Sequence, residues 1–175
     1  MTPAAWIRSH PLGALCAAAL ATTVLVRYGF TAAGQIVALA CAMLVVLSLI
    51  DLESRRLPNR IVLPAAALVL AARVATSPEH SLAWIGAALG AAGFLLVFAL
   101  VVPAGLGMGD VKLALLLGAM LGSAVVPAVL LGTLAGAGAA VVLLARDGRP
   151  ALRRTIPYGP FLAFGAIATV LVLAP

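Results

Sequence analysis

Charge is what this sequence has least of: 9% of its 175 residues are charged, where a soluble domain carries about 25%. Aromatic residues make up 5%, and there are two cysteines, two histidines and five acidic residues. Each shortage excludes something. A chain this poor in charge cannot dress a water-facing surface, so its solvent is largely lipid. Cys16 and Cys41 sit inside apolar runs and form no CxxC pair, so neither a zinc site nor a disulfide framework is indicated. His10 and His80 stand alone, with no HExxH and no Ser-His-Asp set on one face, so no metal or serine-hydrolase site is expected. The net charge of +6 has no interleaved aromatics around it, so nucleic acid is not an expected partner.

What is present is apolar: 65% of residues are hydrophobic, and the mean hydropathy is +1.23. Seven apolar segments can be drawn, at roughly 12–27, 31–50, 61–76, 82–104, 111–122, 124–145 and 157–174. Backbone groups in hydrocarbon must be paired within the chain, so the segments are expected to be helices. The expected fold is an all-α polytopic bundle forming one membrane domain over residues 1–175. The first run follows Arg8 as an export signal does. Because the rest of the chain is equally apolar, it reads as a retained first span. The fifth segment is too short to cross about 30 Å of hydrocarbon, and either tilts in the bundle or merges with the sixth. The lipid bilayer is the one certain partner; composition says nothing of oligomeric state.

Basic residues set the orientation. With a cytoplasmic N-terminus, Arg8, Arg55, Arg56, Arg60, Lys112, Arg146, Arg149, Arg153 and Arg154 fall inside, and only Arg27 and Arg73 outside. The C-terminus is then outside, and Asp51 and Asp110 share the cytoplasmic edge. Gly86-x-x-x-Gly90, Gly118-x-x-x-Gly122 and Gly132-x-x-x-Gly136 are small-residue faces on which helices can approach closely.

Of the five acidic residues, Glu79 and Asp147 read as solvated loop charges, and Glu53 lies beside Asp51. Asp51 directly follows the run ending Ser48-Leu49-Ile50, and Asp110 follows Gly105-Leu106-Gly107-Met108-Gly109. Ionisable groups at membrane depth are costly and are functional candidates by default. On the residues alone, Asp110 is equally placed to cap the helix that follows, and Asp51 to end its span. The spaced glycines are no dinucleotide fingerprint, lacking the GxGxxG spacing and a preceding strand.

The flanking residues add a resemblance. Asp51-Leu52-Glu53-Ser54-Arg55-Arg56-Leu57-Pro58-Asn59 resembles the first aspartate motif of the prepilin peptidase family. Gly107-Met108-Gly109-Asp110-Val111-Lys112-Leu113 resembles its second, the GxGD signature of intramembrane-type aspartic proteases. Ile156-Pro157-Tyr158-Gly159-Pro160-Phe161-Leu162 resembles a third, proline- and glycine-rich stretch. Together these cover about residues 31–170. The resemblance implies an aspartic endopeptidase of the bacterial cytoplasmic membrane, with Asp51 and Asp110 catalytic and no cofactor. Its substrates would be type IV prepilins or pseudopilins, cut between a short basic leader and an apolar helix. Gly107, Gly109, Lys112, Pro58, Asn59, Pro157, Gly159 and Pro160 are the expected supporting residues. The longer members' cytoplasmic insert with paired cysteines has no counterpart here, so a peptidase-only form without methyltransferase activity is expected.

Two close carboxylates sharing a proton supply both a base and an acid for amide hydrolysis. Asp51 is expected at a helix C-terminus, which disfavours negative charge, and Asp110 at an N-terminus near Lys112, which favours it. Asp110 is therefore the expected resting carboxylate and Asp51 the proton holder. The glycines before Asp110 would let an extended substrate backbone lie close. Pro58 and Pro157 either stop helices or hold the site's edge open. Arg55, Arg56 and Arg60 serve topology, or attract anionic lipid or an acidic substrate position. A reading from another class, a small proton- or ion-coupled transporter, uses the same aspartates as ion sites; a carrier's carboxylates belong near the midplane.

Overall fold

A computed structural model describes residues 10–55, 57–101, 106–148, 150 and 156–172. Arg8, Arg56, Gly105, Arg149, Arg153 and Arg154 of the sequence reading lie outside the described residues. Among those described there are seven α-helices and no strand. They are α1 Pro11–Tyr28, α2 Ala32–Ser54, α3 Asn59–Thr76 and α4 Ser81–Val101, then α5 Met108–Leu121, α6 Val125–Asp147 and α7 Gly159–Val172. Each matches one apolar segment to within a few residues at the ends.

Among the described residues, five helical runs are long and apolar enough to cross a membrane: the first three helices, Pro78–Val101 and Met108–Asp147. The last is α5 and α6 together, broken by a short 3₁₀ turn at Gly122–Ala124. Gly122 has φ +58°, a left-handed conformation that costs glycine little, and it redirects the chain. The fifth segment is thus a helix of its own. Its 14 residues span only about 21 Å, and α6 turns back to pack along α7.

Lipid offers no hydrophobic drive between helices, so close contact must hold them. Glycine supplies much of it. A Cβ added at Gly118 would run into the backbone of Ala87 and Ala88, pinning α5 to α4, and one at Gly132 would stand 2.7 Å from the Phe161 carbonyl oxygen, pinning α6 to α7. Two of the three small-residue faces are therefore spent on internal packing. The third is not: at Gly86 and Gly90 an added Cβ meets nothing within 4 Å. Helix α5 lies at the centre, with Leu113, Leu116, Leu117 and Met120 fully buried beside Leu44 and Leu47 of α2 and Leu162 of α7.

Arg73, near the end of α3, has a structural task as well as a topological one. Its guanidinium lies 4.5 Å from the Trp84 ring centroid and donates to the Met120 carbonyl at 2.8 Å. That carbonyl is in the last turn of α5, where intrahelical partners run out.

Candidate active site

Asp51 lies in the last turn of α2, and its carbonyl accepts the Arg55 N–H at 2.8 Å. Arg55 ends the helix in a left-handed conformation, with φ 50°. The chain then runs through Leu57 and Pro58, whose carbonyl accepts the first N–H groups of α3, from Ile61 and Val62. Pro58 thus starts a helix with fixed φ and no stranded donor. At the far side of the site, Gly107 precedes α5. Its N–H donates to Asp110 Oδ2 at 3.1 Å, while the Asp110 N–H donates to the Gly107 carbonyl at 3.0 Å. The helix begins two residues before Asp110, so Asp110 is not its N-cap but reaches back from the third helical position to close the turn.

The third motif joins the first. Gly159 opens α7, and its N–H donates to Asp51 Oδ2 at 3.2 Å across 108 residues of sequence. Pro160 follows in the first turn, where its missing N–H costs nothing. Pro157 precedes Tyr158 outside the helix, and the Tyr158 carbonyl accepts from Phe161 and Leu162. The second motif also joins the first: a Cβ at Gly109 would stand 3.2 Å from Leu57 Cβ, so Leu57 packs on bare backbone there. Lys112 Nζ donates to Asn59 Oδ1 at 2.8 Å, tying α5 to the start of α3. All ten residues expected at the site lie at one end of the bundle, on the loops and helix ends that meet there.

Both carboxyl groups are shielded, with Asp51 6% and Asp110 8% exposed. They lie near enough to interact electrostatically. Two expectations change. Lys112 serves Asn59, and no ion pair joins it to Asp110 among the described residues. Helix polarity does not separate the two aspartates either. Asp51 ends α2 but also accepts a hydrogen bond from the first residue of α7, where a helix dipole favours negative charge. Each carboxylate therefore meets a helix N-terminus. The glycines are likewise explained from within: Gly109 seats Leu57, and Gly159 makes room for the Asp51 carboxylate.

Tyr158 was quoted within a motif but not counted as a site residue. Its hydroxyl lies 2.6 Å from Thr133 Oγ1 of α6. The available signal was its place directly before Gly159. No cluster of three or more metal-ligating side chains is found among the described residues.

Fold and site together define a multi-pass helical membrane protein with two shielded aspartates where helix ends converge. The chain belongs to the type IV leader peptidase family, whose model matches residues 38–143. It is similar to proteins named prepilin leader peptidase/N-methyltransferase. That of Burkholderia pseudomallei is 35% identical, over 95% of this chain and 55% of its own length. That of Bacillus subtilis is 32% identical, over 93% and 65%. That of Pseudomonas aeruginosa is 36% identical, over 89% and 56%. The chain thus spans little more than half the length of most of these curated relatives. No solved structure matches it at a significant level.

Proposed function

We propose that the protein is an aspartic endopeptidase that removes the short basic leader of type IV prepilins or pseudopilins at the cytoplasmic face of the inner membrane. The observation that carries this reading is the Gly159–Asp51 hydrogen bond, since it joins two of the family's motifs at a shielded carboxylate that interacts with a second one. Family membership and the relatives' names support the same chemistry.

In this reading one aspartate is ionised and its partner protonated, because like charges at short range resist ionising together. The carboxylate takes a proton from water as the water oxygen bonds to the scissile carbonyl carbon. The carboxylic acid gives its proton to the amide nitrogen as the C–N bond breaks. The products are a carboxylic acid on the leader and an amine on the mature chain, the acid's proton then passing to the amine to leave a carboxylate and an ammonium, and the aspartates have exchanged roles. The two residues titrate as a pair, so neither is assigned a fixed part. Methyl transfer, the second activity in the relatives' names, is not part of the proposal.

The test uses purified protein in liposomes with a prepilin encoded in the same genome. The expected product begins at the first residue of the apolar helix by N-terminal sequencing and carries no added methyl group by intact mass. A prepilin that remains whole, or a cut inside the apolar helix, overturns the assignment.

A further inference from the structure

The unspent glycine face of α4 borders a groove. Gly86, Gly90 and Phe94 of α4 form one wall, and Val126, Val129 and Thr133 of α6 lie in the other. The volume is about 670 Å³. The lining of α4 runs from Gly86 to Phe98, about 18 Å along the helix axis. Both walls belong to runs apolar and long enough to cross a membrane, so the groove opens sideways into lipid. Phe94 is 64% and Val126 69% exposed there.

The groove leads to the aspartates. Its lining includes Leu106, next to the Gly107 that bonds Asp110, and Tyr158, next to the Gly159 that bonds Asp51. Among the described residues that line it, the only polar side chains, Thr133 and Tyr158, are paired with each other. A polar or charged occupant would lose its water and find no partner, whereas a small-residue face at membrane depth suits close approach by another apolar helix.

We infer that the groove between α4 and α6 holds the substrate's own apolar helix, the segment directly behind the cut, and so delivers the scissile bond to Asp51 and Asp110. The inference rests on the peptidase reading and adds the binding surface that selects a helix-bearing substrate. Gly90 and Gly86 set how closely that helix approaches; Phe94 and Val126 touch its side chains.

Gly90→Leu projects into the groove from a position where an added Cβ meets nothing within 4 Å. Gly138→Leu is the control, equally open on α6 but outside the groove. Each is assayed on the full-length prepilin and on a peptide that spans the cut but lacks the apolar helix. Gly90→Leu should lower kcat/KM on the full-length substrate by about tenfold or more through KM, and change peptide cleavage by less than about twofold. Gly138→Leu should change neither. Unaltered processing by Gly90→Leu means the groove holds lipid or a second copy, and ends the inference; so does an equal loss on both substrates. A wild-type protein that cuts neither removes the peptidase reading itself. A second measurement needs no turnover. In an Asp110→Asn, Cys16→Ser background, Phe94→Cys and Val126→Cys should form disulfides with a cysteine in the prepilin's apolar helix, and the lipid-facing Leu39→Cys should not. Equal cross-linking at all three positions contradicts the assignment.

Discussion

An added Cβ at Gly159 would stand 2.7 Å from Asp51 Oδ2. No side chain fits there unless the carboxylate moves or the hydrogen bond opens. Gly159→Ala should therefore leave the helices folded and displace Asp51, lowering kcat on the order of 10²-fold, as small misplacements of reacting groups do. Circular dichroism and prepilin turnover on the same preparation check this, and wild-type turnover in the variant would show that Asp51 is positioned by something else. At this scale the sequence named both aspartates and every glycine and proline around them. It did not show what the small residues face. Gly109 is among the glycines expected to leave room for a substrate backbone, yet Leu57 stands against it, and Gly159, expected only as a supporting residue, makes way for the Asp51 carboxylate. Contacts between positions 51 and 159, or 57 and 109, arise only from tertiary packing. Helix polarity misled for the same reason: the dipole acting on Asp51 includes one from α7, more than a hundred residues away.

Helix α5 shows what the elements contribute. It is short for a membrane span, carries Asp110 at its start, and is held at both ends. Gly107 and Lys112 fix the first turn, and Arg73 meets a carbonyl of the last. Between them Gly118 presses on the α4 backbone. Gly118→Leu should force α4 and α5 apart and destabilise the protein by about 1–3 kcal/mol, seen as a lower Tm in detergent. Gly138→Leu, with open space around it, should melt as the wild type does. Equal melting of the two would contradict the packing assigned to Gly118. Segment number and type were legible because continuous apolar runs of this length, without the alternation of a barrel strand, pair their backbone in lipid as helices. The break at Gly122 was not, since a short helix that merges with its neighbour and one that turns back have the same composition. The three GxxxG faces also look alike in sequence, but only two are used inside the bundle.

For the whole molecule, the two aspartate motifs and the third stretch come together at one end, as the spacing of apolar runs requires. Which end faces the cytoplasm rests on the basic residues: Arg55, Arg60, Lys112 and Arg146 lie toward the aspartate end, Arg27 and Arg73 toward the other. With Cys16→Ser, a cysteine at Arg60 should react with an impermeant thiol reagent only from the cytoplasmic side, and one at Glu79 only from the opposite side. The reverse pattern would contradict the proposed membrane face. The central claim is that Asp51 and Asp110 together hydrolyse the leader bond. Its most direct measurement is prepilin processing in cells producing the wild type, Asp51→Asn or Asp110→Asn at equal membrane levels. The account predicts mature pilin with the wild type and only the precursor with either variant; mature pilin in either variant would contradict it.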